Sequence, residues 1–166
     1  MKLSEKQLTD CPLGKSKSSN EQQFVLEEFL PYEIRSFYTR IAESVAATYE
    51  RKYGITPAEW RVLATIGSHK NTTSAHIVSH ANTDKVTVSR ALAKLTEKRW
   101  VKVSTSKSDR RRKGLTLTAT GRRNYNKIVP EVLGVERSLL AGVSRRDIAT
   151  LRRIMKQIES NAKDSR

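Results

Sequence analysis

Basic side chains are concentrated between Lys98 and Gly121, in a pattern suited to binding phosphate groups. Two short β-prone runs, Trp100 to Thr105 and Leu115 to Thr118, flank a loop rich in lysine and arginine. Two such runs around a polar loop predict a β-hairpin with a cationic tip. Guanidinium and ammonium groups bind phosphate oxygens through charge-assisted hydrogen bonds. The basic residues of the tip are Lys107, Arg110, Arg111, Arg112 and Lys113.

A helix with one polar face is predicted just before this hairpin. Asp84 is a good N-cap for a helix that runs to about Lys98. Its apolar residues share one side and are expected to pack inward. They are Val88, Ala91, Leu92 and Leu95. The opposite side carries hydroxyl and basic groups, which are the groups that read nucleic acid.

Individual residues of this helix are assigned different contacts with a DNA duplex. Thr87, Ser89 and Arg90 are predicted to contact base edges in the major groove, where arginine binds guanine O6 and N7 in bidentate fashion. Val86 could meet a thymine methyl group. Lys85 and Lys94 are predicted to contact phosphate and to position the helix.

The elements before this helix can be located from their capping residues. A long amphipathic helix is predicted from Phe24 to Tyr53, with Pro31 either in its first turn or at a kink. The sequence Thr56-Pro57-Ala58-Glu59 is a capping box that starts a second helix. Thr72 or Thr73 caps a short third helix, on which Ser74 and His76 are predicted phosphate contacts. Two short helices joined by a tight turn form a helix-turn-helix.

Two more helices are predicted after the hairpin. The first begins at Thr120, contains Pro130 and stops before Gly142. Ser144 to Asp147 is an acidic variant of the capping box and opens the last helix. The helices at both chain ends are longer than the central unit can cover. We therefore expect a homodimer, whose two recognition helices would enter successive major grooves about 34 Å apart on a pseudo-palindromic site.

Composition supports a nucleic-acid partner. The chain has 166 residues with 32 Lys and Arg against 17 Asp and Glu, a net charge of +15. So large an excess suggests a polyanionic ligand. Residues 1–23 are predicted to be a mobile polar arm. The single cysteine, Cys11, fits a reducing compartment, and without an apolar leader or membrane-length run we expect a cytoplasmic protein with no membrane partner.

The sequence predicts neither an enzyme nor a cofactor. There is no glycine-rich phosphate loop, nucleophile elbow or His-Glu metal motif. His76 and His80 lie four residues apart and could hold a metal ion, but no further ligand can be placed from the sequence, so no metal site is predicted. A zinc-sensing role, or a redox-sensing role for Cys11, is kept as an alternative.

Four segments together resemble the MarR family of multiple-antibiotic-resistance-type regulators. They are the run Phe29-Leu-Pro-Tyr32, the segment from Tyr53 to Leu63, the helix start from Asp84 to Arg90, and the segment from Asp109 to Gly121. The last reads DRRRKGLTLTATG and places an aspartate-arginine-arginine wing before a Leu-x-Leu-Thr-x-x-Gly motif. The resemblance spans about residues 24–160.

The resemblance implies a dimeric repressor that binds a palindromic operator and is released by a small phenolic or aromatic carboxylic acid. It also implies a buttressing pair between Asp109 and an arginine, assigned here to Arg111, with Arg110 or Arg112 entering the minor groove. For the effector, Arg35, Tyr38 and Trp60 lie on or near the first two helices. An arginine there could pair with an aromatic carboxylate.

The predicted fold class is therefore mainly α with a small β-hairpin (α+β), a winged helix-turn-helix with terminal dimerisation helices. Residues 24–54 and 120–162 are assigned to dimerisation and residues 55–119 to DNA binding. Two other functions are consistent with the sequence. A sequence-indifferent architectural DNA protein would need only the charge, and a basic winged helix could instead bind a protein.

Overall fold

The computed structural model describes residues 24–69, 72–81, 83–105 and 113–164, and its elements follow the order predicted from the sequence. The helices of these ranges are α1 (Leu30–Tyr53), α2 (Pro57–Ser68), α3 (Ser74–His80), α4 (Lys85–Glu97), α5 (Ala119–Leu139) and α6 (Arg145–Asp164). The strands are β1 (Val101–Thr105) and β2 (Lys113–Leu117). This confirms the predicted fold class.

Helix α1 begins later than predicted. A short 3-10 turn, Leu26–Glu28, comes first, and α1 starts at Leu30 rather than Phe24. Pro31 lies in the first turn, where its missing N–H is not needed, so of the two predicted roles it takes the first. The chain leaves α1 at Gly54, whose φ of 60° suits glycine.

The short helices begin where the capping residues predict. Thr56 and Glu59 form the predicted capping box of α2, with Pro57 at the first position. Thr73, not Thr72, caps α3 by accepting the His76 N–H. Because these caps depend on residues only a few positions apart, they are readable from sequence.

Helix α4 ends in a Schellman motif that turns the chain into the hairpin. The Trp100 N–H donates to the Leu95 carbonyl and the Arg99 N–H donates to the Thr96 carbonyl, both at 2.9 Å. Arg99 takes the left-handed conformation, with φ of 59°, where glycine is usual. Burial of Trp100 against the core holds the chain in this turn.

The two strands form an antiparallel hairpin that is attached to the helix-turn-helix. Val101 pairs with Leu117 and Thr105 with Lys113, so β2 begins two residues earlier than predicted. The Leu115 N–H donates to the Thr72 carbonyl at 2.7 Å, in an isolated bridge. The hairpin therefore docks on the segment that joins α2 to α3.

Helix α5 begins at Ala119, one residue before the predicted start at Thr120, and its cap Thr118 anchors it to the base of the hairpin. The Thr118 hydroxyl accepts the Gly121 N–H at 3.0 Å and donates to the Arg99 carbonyl at 2.6 Å. Gly121 lies so close to Trp100 that an added Cβ would stand 1.9 Å from its carbonyl oxygen. Only glycine fits where α5 passes the backbone of Trp100.

By its contacts the chain divides into two units, Met1–Ser36 and Phe37–Arg166. The second unit contains one hydrophobic core, built from the C-terminal part of α1, from α2 to α4, from the hairpin and from α5. Its fully buried residues include Leu63, Ile77, Leu95 and Ile128. Helix α6 contributes no buried residue. None of the helices in the described ranges is long and apolar enough to cross a membrane.

Candidate nucleic-acid interface

Helix α4 turns its apolar side inward and leaves its polar side on the surface. Val88, Ala91 and Leu95 are buried. Lys85, Val86, Ser89, Arg90, Ala93 and Lys94 are exposed. The apolar side chain of Val86 is 59% exposed and does not belong to the core. We call the exposed residues Lys85, Val86, Ser89 and Arg90 the recognition face.

The start of α4 is fixed by Asp84. Its Oδ1 atom accepts the backbone N–H groups of Val86 and Thr87, both at 2.9 Å, and its Oδ2 atom accepts the Thr87 hydroxyl at 2.6 Å. The Thr87 hydroxyl bond is the largest reason why the pKa of Asp84 lies below its ordinary value. Thr87 is half-buried and donates its proton to this cap, so it has only its methyl group and an acceptor lone pair for a base.

Lys94 lies one turn before the end of α4 and forms an ion pair on the surface. Its Nζ atom lies 3.0 Å from Glu97 Oε2, and both side chains are well exposed. Exposed pairs of this kind contribute about 0.3–0.5 kcal/mol. A phosphate could therefore displace Glu97 at little cost, and the structure is compatible with the predicted role of Lys94.

A groove between α3 and α4 brings three of the predicted DNA contacts together. Ser74 from α3 and Lys85 and Ser89 from α4 line it, and its volume is about 490 Å³. Its floor is apolar and includes Val88 and Leu92. The first residues of α3 and α4, Ser74 and Lys85, therefore border the same groove.

His76 occupies a different environment from Ser74. It is half-buried, and its ring packs against both other histidines. Burial, followed by the nearby His80 and His69 rings, lowers the pKa of His76. The four-residue spacing in the sequence predicted only that His76 and His80 lie close together. His69 joins them through the fold, and no local pattern could have revealed it.

The tip of the hairpin lies outside the described residues. It includes the predicted minor-groove and wing-supporting residues, Asp109, Arg110, Arg111 and Arg112. The structure does place the base of this wing, since Thr72 pairs with Leu115 and Thr118 bonds the Arg99 carbonyl.

Two of the three predicted effector residues line one cleft. Tyr38 and Trp60 border a cavity of about 210 Å³, together with Tyr49 and Arg61. Arg35 belongs to the other unit of the chain, Met1–Ser36. Sequence reasoning missed Arg61, because nothing local distinguishes it from other surface arginines on α2.

Trp60 also has a structural role. Its ring stacks with those of Tyr49 and Tyr125, with centroid distances of 5.6 and 6.3 Å. Tyr49 is buried, and this burial is the main reason why its pKa is raised. The cleft therefore has a rigid aromatic wall, which suits a flat aromatic ligand.

Known proteins with similar sequences agree with the helix-turn-helix and wing described above. Residues 53–112 match the sequence model of the MarR family. A helix-turn-helix-type transcriptional regulator of Staphylococcus aureus Mu50, itself uncharacterised, is 28% identical over 123 residues, which cover 73% of this chain and 82% of that protein.

Three solved structures share the fold. A MarR/EmrR family transcriptional regulator from Acinetobacter sp. ADP1 has a TM-score of 0.78 at 22% identity, covering 85% of this chain and 99% of that one. S. aureus MepR in complex with DNA has a TM-score of 0.73 at 19% identity, covering 82% and 98%.

The third structure is of Bordetella bronchiseptica BpsR, whose DNA binding is regulated by 6-hydroxynicotinic acid. Its TM-score is 0.72 at 20% identity, covering 82% of this chain and 96% of that one. Together with the exposed polar face of α4 and the hairpin that docks on Thr72, these similarities show that the chain resembles the MarR family of winged helix-turn-helix transcriptional regulators, in sequence over residues 53–112 and in fold over most of its length.

Proposed function

We propose that this protein is a dimeric repressor that binds a pseudo-palindromic operator through its recognition face. The observation that carries the proposal is the exposure of Val86, Ser89 and Arg90 on a helix whose other side is buried. These side chains offer an apolar contact, a hydroxyl and a guanidinium, which together can distinguish base pairs in the major groove. Lys85 and Ser74 flank them and would hold the phosphates.

The apolar surface of the terminal helices supports the dimer. On α6, apolar side chains recur on one face without burial in the chain. They are Leu151, Ile154, Met155 and Ile158. Leu133 and Leu139 of α5 are exposed as well. An amphipathic helix needs a partner to cover such a face, and we propose that residues 24–54 and 120–162 of a second copy supply it.

We propose that the wing adds minor-groove contacts. Arg110 or Arg112 would enter the groove, while Asp109 and Arg111 would form the supporting pair. The observation behind this proposal is the register of the hairpin, which pairs Thr105 with Lys113 and so leaves these four residues in the loop between the strands. A narrow minor groove attracts arginine through its negative potential.

We propose that a small aromatic acid in the Tyr38–Trp60 cleft releases the protein from DNA. The aromatic wall would stack on the ligand ring, and Arg61 would pair with its carboxylate. BpsR, whose ligand 6-hydroxynicotinic acid is of this class, shares the fold. Calorimetric titration with 6-hydroxynicotinic acid and 4-hydroxybenzoate tests this step. Heat and DNA release that are lost in Arg61→Gln would support it, and neither heat nor release with either acid would remove it.

Paired variants on a specific duplex test the recognition face. Arg90→Ala removes a base contact, so we expect it to lower affinity for the preferred site by about 1–3 kcal/mol and to relax selectivity at one base pair. Arg123→Ala removes the same charge from an exposed position on α5 and serves as the control. Equal losses for the two variants on specific and random DNA would contradict the proposal.

The large positive charge favours one other function, that of a sequence-indifferent architectural DNA protein. Such binding is driven almost wholly by counterion release and would weaken equally for all duplexes as salt rises. Specific binding keeps a preference for one sequence at about 150 mM salt. Competition between specific and random duplexes at that salt separates the two functions.

A further inference from the structure

All three histidines of the chain meet at one point on the surface of the helix-turn-helix. His69 ends α2, and His76 and His80 lie one turn apart on α3. Ring centroids are 3.9 Å apart for His76 and His80, 5.0 Å for His69 and His76, and 5.3 Å for His69 and His80. One ring nitrogen from each residue lies within 4.8 Å of the other two. Of the three, only His76 is a predicted DNA contact, so DNA binding does not explain why His69 and His80 meet it.

Two of the rings are oriented by hydrogen bonds that leave a nitrogen lone pair for a ligand. His69 Nδ1 lies 3.0 Å from the Thr65 carbonyl, and His80 Nδ1 lies 3.2 Å from the His76 carbonyl. The Ser68 and Ser79 hydroxyls lie 3.0 and 3.2 Å from the same two nitrogens, and each hydroxyl donates to a backbone carbonyl. Because a carbonyl only accepts, the tautomer in which each Nδ1 donates to its carbonyl leaves each Nε2 as an unprotonated acceptor. Histidine ligands of metal ions are commonly fixed in this way by a backbone carbonyl.

The third ring has an unsatisfied nitrogen. His76 Nδ1 is buried and has no hydrogen-bond partner in the structure. A buried polar atom without a partner is costly, and it marks a place where a missing ligand or ion is expected. The three rings therefore provide acceptor nitrogens, and a bound cation would satisfy the nitrogen that has no partner.

We propose that His69, His76 and His80 form a binding site for a divalent transition-metal ion, with Zn²⁺ as the expected occupant. Imidazole suits zinc and related first-row ions, whereas Mg²⁺ and Ca²⁺ require oxygen ligands. Three histidines leave the fourth tetrahedral position for water or an external ligand. In a zinc site with Zn–N bonds of about 2.0–2.1 Å, the ligand nitrogens lie closer together than the 4.8 Å within which these three nitrogens lie. The exposed His69 and His80 rings must therefore move toward the ion when it binds.

A metal ion at this site would also link two neighbouring helices. It would join the C-terminal end of α2 to α3 across the connecting segment that contains Thr72. The Thr72 carbonyl accepts the Leu115 N–H of the wing at 2.7 Å. Metal binding would therefore stiffen the first helix of the helix-turn-helix and the segment on which the wing docks.

Spectroscopy with Co²⁺ tests the site in the full-length chain without an affinity tag. We expect one equivalent of Co²⁺ to give the visible absorption of tetrahedral cobalt with nitrogen ligands, and Zn²⁺ to displace it. His69→Gln and His80→Gln change exposed residues, so they should fold normally and weaken metal binding by at least about 100-fold, since even outer-shell partners are worth 10 to 100-fold. His76→Gln should do the same, with circular dichroism reporting its folding.

Cys11→Ser is the control, because it removes the chain's one thiol and leaves the histidines in place. The site is supported if Cys11→Ser keeps the wild-type spectrum and affinity while the exposed histidine variants lose them. Zn²⁺ should then also raise the melting temperature of the wild type but not of His80→Gln. The proposal is overturned if wild type binds no Co²⁺ or Zn²⁺, or if His69→Gln and His80→Gln bind as tightly as wild type.

Discussion

At the scale of single residues, we propose that Lys85 positions α4 on DNA and that Arg90 selects the base it contacts. Both are exposed near the start of α4, but Lys85 also lines the groove with Ser74, at the side of the recognition face. A lysine is a compact point charge that suits phosphate, whereas the planar arginine fork suits a guanine edge. Losing each should therefore weaken DNA binding in a different way.

Lys85→Ala should weaken binding to every duplex by a similar factor. If Lys85 contacts one phosphate, the slope of log affinity against log salt concentration should fall by about 1. Anisotropy titrations at several salt concentrations measure this slope. Lys127→Ala, an exposed lysine on α5, is the control and should leave the slope unchanged. A Lys85 effect confined to one duplex sequence would contradict the phosphate assignment.

Gly121→Ala should destabilise the protein strongly. The new Cβ would stand 1.9 Å from the Trp100 carbonyl oxygen, and backbone cannot give way there as a side chain can. Overpacking of this kind costs about 1–3 kcal/mol or more. At Gly134 of the same helix an added Cβ meets only Arg137, at 3.7 Å. Gly134→Ala should therefore stabilise by about 0.5–1 kcal/mol. Urea unfolding of both variants compares them, and similar effects would refute the crowding at Gly121.

At the scale of elements, the ends of helices were predictable and the contacts between them were not. The caps at Thr56, Asp84 and Ser144 are formed with residues two or three positions away, so the sequence pattern contains them in full. The bridge from Thr72 to Leu115 joins residues from distant parts of the chain. No local pattern encodes such a pairing, and only the folded core brings these residues together.

The same reason explains which site residues were missed. Arg61 reaches the aromatic cleft, and His69 the histidine cluster, only because α2 packs between other helices. By contrast, the recognition face follows directly from the helical period around Val88 and Leu95. The family motif ending at Gly121 was recognised from sequence, but the structure supplies its reason, the close passage of Trp100.

An ion pair that joins α1 to α5 should make stability depend on acid pH. Glu131 Oε1 accepts hydrogen bonds from Lys52 Nζ and, at 2.8 Å, from the Tyr53 hydroxyl. Lys52, followed by Tyr53, lowers the pKa of the Glu131 carboxyl. Its contribution is therefore complete above the ordinary glutamate pKa of about 4.3 and is lost as pH falls through the lower folded value.

Glu131→Gln should remove this component of acid sensitivity. Urea midpoints measured across the acid range should fall less steeply for this variant than for wild type. Glu136→Gln changes an exposed glutamate of the same helix and should retain the wild-type slope. Identical slopes for wild type and Glu131→Gln would show that the pair contributes nothing to folding.

At the scale of the whole molecule, the proposed function requires a second copy of the chain. Helix α6 has an apolar face but no buried residue in the single chain, and Met155 on that face is 60% exposed. A self-complementary interface would cover such a face on both copies at once. It would also fix the spacing between the two recognition helices, which sets the half-site spacing of the operator.

Met155→Glu should therefore convert the dimer into monomers, because it places a charge in the proposed interface. Sedimentation equilibrium measures the mass. Lys156→Glu introduces the same side chain on the polar face of α6, and this control should remain dimeric. A Met155→Glu protein that stays dimeric would place the interface elsewhere.

The most direct test of the whole account is selection of bound duplexes from a random pool at about 150 mM salt, a concentration that suppresses purely electrostatic binding. We predict enrichment of a single pseudo-palindrome whose half-sites lie about one helical turn apart, as two copies of α4 in successive major grooves require. Tight binding without enrichment of any sequence would contradict specific regulation and would assign this protein an architectural role on DNA.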